Sequence, residues 1–441
     1  MKRLLSLLLC AVLALFCATT AQAAGVSITL TASEYALHYA FDAGAQDPFV
    51  ILEYTTPAEK GWMMLYSADG HFEGDVSLAY SGAGGKTSVA LTLARTTGSI
   101  GKTSTTLPKA ADYQKPTGKS NAKVTDFVLT ETPEGFHYAF NAAGTDYMLL
   151  YWRSKEQTVT QPVYPDENGH YEGDVISDLT FARTQFTVQV KSGSGSMKKE
   201  ATVRKGYQAP EAPQRQEGRL SGVTVCIDAG HQENGRFVNE PIGPGLTGST
   251  SGKGGMAQGT KTNRRESIVC LEIGMLLRDE LLRQGANVVM TREDQTTFHT
   301  NIERCEIAEA GGAQIMLRLH CNNSSNRSKR GIQVYGPLNS DYAKAVADAD
   351  TYREMGQKLL DAMKTRVGMT LANSTGMVRL NDNYVGNNWA KMMCFLVEMG
   401  YLSNPAEEYL LVTPVYQQWL AEGMADGVYE IAVARGWVQA Q

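Results

Sequence analysis

The chain has no excess of positive charge. Its 41 lysines and arginines face 46 aspartates and glutamates across 441 residues, a net charge of −5. Proteins that neutralise nucleic-acid phosphates need a basic face, so nucleic acid is excluded as a partner. Cysteine is also sparse: of seven, Cys10 and Cys17 fall in the first 23 residues, leaving Cys226, Cys270, Cys305, Cys321 and Cys394. An odd number, placed mostly within strand-like or helix-like runs, does not make a disulfide scaffold, and buried free thiols are expected. Beyond residue 23 no apolar run approaches the ~20 residues of a spanning helix, so no transmembrane segment is expected in the mature chain.

What the chain does have is apolar material, 43% of its residues, spread over a length too great for one ordinary core. At the N-terminus, Lys2 and Arg3 precede an apolar stretch from Leu4 to Ala18, and Ala21-Gln22-Ala23 offers a small-x-small cleavage site. Residues 1–23 therefore read as a signal peptide, and the protein as secreted.

The first half is duplicated. Leu37-His-Tyr-Ala-Phe41 recurs as Phe136-His-Tyr-Ala-Phe140, and Gly70-His-Phe-Glu-Gly-Asp-Val76 as Gly169-His-Tyr-Glu-Gly-Asp-Val175, both 99 positions on. Apolar residues alternate with the period of a half-buried strand, and Thr97-Gly-Ser99 and Ser192-Gly-Ser-Gly195 mark turns. Two all-β, immunoglobulin-like or fibronectin-like sandwiches are expected, at 24–108 and 122–205. His38 and His137 take the solvent-side parity of their strands, so these two, with His71 and His170, read as surface residues rather than metal ligands. A proline-marked segment within 206–221 reads as a linker to an independently folding 222–441.

Past Gly222, strands alternate with helices, the pattern of a largely parallel sheet covered by helices. Three apolar runs of strand length end on polar groups: Val223-Thr-Val-Cys-Ile-Asp-Ala-Gly-His231, Ile315-Met-Leu-Arg-Leu-His320 and Met392-Met-Cys-Phe-Leu-Val-Glu398. If these strands run parallel, His231, His320 and Glu398 share one sheet edge, where open α/β folds bind ligands. Glu266, opening the helix read at Arg264 to Gln284, can reach the same edge. Two imidazoles and one carboxylate make a hydrolytic zinc set with an open fourth position, and one carboxylate is left to act as base.

Each residue also has a plainer reading. His231 suits a surface position and His320 a satisfied core histidine; Asn263-Arg-Arg-Glu266 is itself a capping-box pattern; Glu398 could pair with Arg318 or Arg379. Glu233 and Glu240 in the glycine-rich insertion 232–262 are weaker ligand candidates, and His299 reads as surface. The insertion is too long for a routine connection and reads as a substrate-covering loop or a mobile one.

Ile227-Asp-Ala-Gly-His231, Glu266 at a helix start, Leu319-His-Cys-Asn322 and Leu396-Val-Glu-Met-Gly-Tyr-Leu-Ser-Asn-Pro405 together resemble the type-3 family of zinc-dependent N-acetylmuramoyl-L-alanine amidases, over about 222–436. The resemblance implies a Zn²⁺ held by His231, Glu266 and His320, with Glu398 as catalytic base. It implies hydrolysis of the amide joining N-acetylmuramic acid to L-alanine in peptidoglycan. Arg318 departs from the serine common in the family, and is expected to contact a substrate carboxylate or orient Glu398. Competing readings are another zinc peptidoglycan peptidase, or a non-catalytic wall-binding protein of the same fold. The N-terminal repeats are candidates for wall attachment, for spacing the enzyme from the surface or for regulating access.

Overall fold

The computed structural model describes residues 18–23, 26–32, 36–44, 47–57, 60–77, 84–94, 99–109, 119–132, 135–145, 147–153, 158–176, 184–205, 211–232, 238–250, 255–368 and 378–440. Residues 1–17 of the expected signal peptide, 206–210 of the linker, and 233–237 and 251–254 of the insertion, Glu233 included, lie outside the described residues. The chain forms two compact units, residues 1–115 and 116–441.

In the first unit the alternating apolar pattern becomes antiparallel strands: β1 (Ala18–Ala23), β2 (Val26–Ala32), β3 (Ala36–Asp42), β4 (Phe49–Thr55), β5 (Lys60–Tyr66), β6 (His71–Ser77), β7 (Gly85–Leu93) and β8 (Ser99–Leu107). They pair as two sheets, β1-β2-β3-β6 and β5-β4-β7-β8. Both sheets contribute to one core, Ile28, Leu37, Phe41 and Phe72 from the first, Val50, Leu52, Val89 and Leu91 from the second.

The second unit begins with the second copy: β9 (Lys123–Thr132), β10 (Gly135–Ala143), β11 (Met148–Arg153), β12 (Thr158–Val163), β13 (His170–Ile176), β14 (Thr184–Ser192) and β15 (Met197–Lys205). Its sheets, β9-β10-β13 and β12-β11-β14-β15, again share a core, in which Phe136 of one meets Phe186 of the other at 5.1 Å. The duplication extends to ring geometry: Phe41 stacks on Phe72 at 5.0 Å, and Phe140 on Tyr171 at 4.6 Å. It also explains a glycine pair, since a Cβ on Gly74 or Gly173 would lie 2.7 Å from the hydroxyl of Tyr39 or Tyr138.

The α/β part follows: β16 (Thr224–Ala229), α1 (Glu266–Arg283), β17 (Asn287–Met290), α2 (Asn301–Ala310), β18 (Ile315–Asn322), β19 (Gln333–Gly336), α3 (Asp341–Val346), α4 (Ala349–Val367), β20 (Val378–Leu380), α5 (Val385–Trp389), β21 (Met393–Tyr401), α6 (Glu407–Leu411) and α7 (Pro414–Ala434). The sheet order is β17-β16-β18-β21-β19-β20. β17, β16, β18 and β21 are mutually parallel; β19 runs against β21 and carries β20 parallel to itself. Helices cover both faces. Leu319 packs on Gly274 of α1, whereas its neighbour Arg318 reaches Asn301 of α2 and Asn387 of α5.

The elements depart from the sequence expectation in a few places. Residues 340–367, whose pattern reads as mostly helical, form two helices, because the chain turns extended at Ala347 and Asp348, whose carboxylate caps the Thr351 N–H at 2.7 Å. β18 continues two residues past His320. The end of α1 is as expected: Gly285, directly after the Gln284 cap, takes the left-handed region at φ 94°.

Candidate active site

The apolar strands β16, β18 and β21 lie side by side and parallel, so their carboxyl ends form one edge. Gly230 N–H donates to Leu319 O at 2.9 Å, and His320 sits in register with Glu398. The chain then turns sharply: His231 adopts φ 58°, the left-handed region, directly beyond Gly230. Gly230 has to lack a side chain, because a Cβ there would fall 2.5 Å from His320 Cε1 and from Leu319 O. The two imidazoles thus meet edge to face, centroids 4.9 Å apart.

Glu266, the first residue of α1, joins them. Its Oε2 lies 3.1 Å from His231 Nε2 and its Oε1 2.9 Å from His320 Nδ1. The same oxygens accept from Ala257 N–H (2.7 Å) and Cys321 N–H (3.0 Å). The capping-box alternative is therefore not what the carboxylate does: it turns toward the sheet edge, and Arg265 at the helix N-cap makes no side-chain cap. Burial acts to raise the Glu266 pKa, but the hydrogen bonds and charge of the two histidines outweigh it and hold the carboxyl well below its usual range. Burial pushes His320 below its ordinary value, favouring the neutral ring that a metal ligand must be. Among the described residues these are the three whose donor atoms all lie within 4.8 Å of one another.

Glu398 stands beside His320 with its Oε2 buried and without a hydrogen-bond partner. Burial first, and the charge of Glu266 second, raise its pKa well above the ordinary carboxylate value. Tyr335 and Tyr384, stacked edge to face at 5.2 Å, line its flank; burial raises both phenols, and the Glu398 charge adds to it.

Arg318, expected to contact a substrate carboxylate or orient Glu398, turns its guanidinium to Asp228 instead. It is buried, and donates to Asp228 Oδ2 (2.9 Å) and to Asn301 Oδ1 (2.8 Å). Asp228, fully buried on the next strand, also pairs with Arg304 and accepts from the Thr291 hydroxyl at 2.8 Å. Burial alone would raise this carboxyl, yet the two guanidiniums hold it far below the usual range. Glu240 accepts the N–H groups of Asn301 (3.2 Å) and Ile302 (2.8 Å), so it serves the α2 N-terminus and not the histidine site. His299 is half-buried, its carbonyl accepting from Arg304. Cys226, Cys270, Cys305, Cys321 and Cys394 are free and buried; Cys321 lies against Cys270 on the α1 side, away from His320.

Sequence reasoning missed Arg292. This buried guanidinium donates to backbone carbonyls: Ala229 O (2.8 Å), Gly230 O (2.8 Å), Ser267 O (2.7 Å) and Asp294 O (2.9 Å). It ties the segment bearing His231 to the segment bearing Glu266. Burial, then the charge of Arg304, lower its pKa to about 9. The available signal was its position, a charged residue directly following an apolar strand.

Two histidines and a carboxylate converging at a sheet edge, next to a second carboxylate with an unpartnered oxygen, form the donor set of a metal-dependent hydrolase. Residues 225–430 match the family described as N-acetylmuramoyl-L-alanine amidase, Amidase_3, and this C-terminal region belongs to it. A germination-specific N-acetylmuramoyl-L-alanine amidase of Bacillus subtilis is 26% identical over 231 residues, 49% of this chain and 83% of that protein. A probable cell wall amidase, LytH, of Staphylococcus aureus is 27% identical over 218 residues, 48% of this chain and 60% of that protein. The crystal structure of an N-acetylmuramoyl-L-alanine amidase from Clostridium difficile 630 aligns with 48% of this chain and 96% of its own, at 23% identity and a TM-score of 0.38.

Proposed function

We propose that the C-terminal region hydrolyses the amide between N-acetylmuramic acid and L-alanine in peptidoglycan, using a zinc ion held by His231, Glu266 and His320. The observation that carries this reading is the gathering of those three donors within 4.8 Å beside Glu398, whose buried Oε2 has no hydrogen-bond partner. The donor set suits the ion. Imidazole nitrogens and a carboxylate are its common ligands, and three protein ligands leave a position for water and substrate. When bound, Zn²⁺ polarises a carbonyl and draws the pKa of water from 15.7 toward ~7.

The chain's own groups do the rest. Glu398 takes a proton from the attacking water at its free Oε2 and delivers it to the amine nitrogen as the C–N bond breaks. Its desolvated setting raises its basicity for the first step and its capacity as an acid for the second. Glu266 keeps its negative charge because two histidines and two backbone N–H groups stabilise it, so it remains a ligand while Glu398 exchanges protons. Arg292 and the Asp228 cluster fix the strand ends on which these groups ride.

The two N-terminal repeats, at 24–108 and 122–205, are read as fibronectin-like or immunoglobulin-like sandwiches that hold the enzyme to the wall, joined by a linker at 206–221 to the catalytic domain, 222–441. Residues 1–23 are read as a signal peptide that directs export and is then removed. That cleavage takes away β1, an edge strand of its sheet, and leaves β2, β3 and β6 paired. The test is mass spectrometry of purified peptidoglycan after digestion. Free stem peptides beginning with alanine, and glycan strands without peptide, are expected. Cuts within the stem peptide would identify a peptidase and overturn the reading.

A further inference from the structure

The four N-terminal histidines sit on a face that the sequence alone assigns to solvent. In the first repeat His38 Nε2 lies 3.3 Å from Glu73 Oε1, and His71 Nε2 lies 3.6 Å from Glu73 Oε2. The other nitrogen of each ring is held too: His38 Nδ1 is 3.1 Å from Asp75 Oδ1, and His71 Nδ1 is 2.7 Å from Asp42 Oδ1. The second repeat repeats the array. His137 and His170 point Nε2 at the two oxygens of Glu172, at 3.2 and 3.6 Å. Their Nδ1 atoms meet Asp174 Oδ1 at 2.9 Å and Asn141 Oδ1 at 2.8 Å.

The outer partners fix the tautomers. A carboxylate can only accept, so each Nδ1 facing one carries the proton. At His170 the partner is an amide, but Asn141 Nδ2 donates to Asp126 at 2.9 Å, which turns its oxygen to the ring. A neutral imidazole arranged this way presents a bare Nε2 lone pair to a carboxylate, acceptor against acceptor. Either a second proton on the ring or a bound cation must sit between them. Imidazoles whose far nitrogen is oriented by a carboxylate or amide oxygen are the usual form of metal-ligating histidine.

Comparison of the two copies supplies an independent observation. On the His face, His38, His71, Glu73 and Asp75 are matched by His137, His170, Glu172 and Asp174. On the outer face of the other sheet, Lys86, Ser88, Ala90 and Thr92 are matched by Gln185, Thr187, Gln189 and Lys191, with no identity. The inner residues of this motif are explained by packing, as Phe72 and Gly74 illustrate. Packing gives no reason for four solvent-facing residues to stay unchanged while their counterparts on the opposite sheet diverged.

We propose that each repeat binds one divalent transition-metal ion, with zinc the natural candidate, through two histidines and the glutamate between them: His38, His71 and Glu73, and His137, His170 and Glu172. Imidazole and carboxylate donors select this class of ion. The rings address different oxygens of one carboxylate, and the donors of neither trio all lie within 4.8 Å of one another, so binding requires the exposed side chains to turn toward a shared ion. These sites are more open than that at Glu266 and hold the ion less tightly, so they empty first under a weak chelator. Their ion clamps β3 to β6, and β10 to β13.

The experiment is metal analysis of the full chain after equilibration with zinc and gel filtration. The wild type is expected to carry two more equivalents of zinc than a His71→Thr/His170→Thr variant, threonine being chosen because it suits an exposed strand. A Glu73→Gln/Glu172→Gln variant should lose the same two, while a fully folded circular-dichroism spectrum and unchanged amidase activity of the zinc-loaded protein show that the active site is intact. Equal zinc content in wild type and both variants would overturn the proposal. So would melting of the repeats that is the same with and without zinc, which would mean that a proton alone fills the gap.

Discussion

Replacing Asp228 with alanine removes the one carboxylate that serves two buried guanidiniums, Arg304 and Arg318, each only 4% exposed. The guanidiniums stay charged, and the Thr291 hydroxyl loses its acceptor as well. Breaking a buried ion pair by deleting one member costs about 3–5 kcal/mol, because the remaining charge is left uncompensated. For a domain of this size each kcal/mol moves the melting temperature by roughly 2–4 °C, so the transition of the α/β part should fall by about 6–20 °C. Calorimetry of the full chain follows it, with zinc removed so that ligand binding does not mask the change. The pH sign is fixed as well. The Asp228 pKa is depressed, so its stabilisation is complete above the ordinary value of 3.8 and is lost only as pH falls through the lowered folded value; between pH 5 and 8 the difference between variant and wild type should be constant. Replacing all three residues with apolar ones of similar volume should recover part of the loss. A single-variant melting temperature within about 2 °C of wild type would refute the argument, since the two arginines would then have found compensation elsewhere.

Glu398→Gln should lower turnover by roughly 10²–10⁴-fold with metal content unchanged, and should abolish the acid limb of the pH–rate profile. In the wild type that limb is expected above the ordinary carboxylate range, activity rising with pH as the buried carboxyl ionises. Arg292→Lys keeps the charge but cannot span four carbonyls, so zinc affinity should fall by roughly 10–100-fold with the fold retained, measured by competition with a chelator. Glu407 accepts the N–H groups of Gly331 and Tyr401, at 2.8 Å each, and burial lifts its pKa to about 7. A raised carboxyl prefers its proton in the folded state, so stability should decline as pH climbs from 4.5 through about 7 and then level off, a slope of up to about 3 kcal/mol that Glu407→Gln removes.

The order of strands and helices past Gly222 was legible because buried parallel strands must be almost wholly apolar, and a polar residue closing such a run announces itself. His231, His320 and Glu398 were found that way, and their meeting depends only on three parallel neighbours. Glu266 was ambiguous for a physical reason: a glutamate at a helix start can cap the helix or leave it, and the choice is made largely by His320 and Cys321, distant in sequence. Arg318 was misjudged because strand parity places it on the face of His320 but does not say that Asp228, in register on the next strand, claims its charge. Arg292 gave no motif, since its partners are carbonyls, which every residue has. In the repeats, the parity that sent the histidines outward was read correctly, but parity does not tell that cross-strand neighbours bring two imidazoles onto one glutamate.

The most direct test of the central claim is anomalous diffraction at the zinc edge from crystals of the protein grown without chelator. The account predicts a peak about 2.0–2.2 Å from one nitrogen each of His231 and His320 and from a Glu266 oxygen, with Glu398 near but not bound. Full hydrolytic activity in protein whose crystals hold no metal at that position, or a peak ligated by a different set of residues, would contradict it.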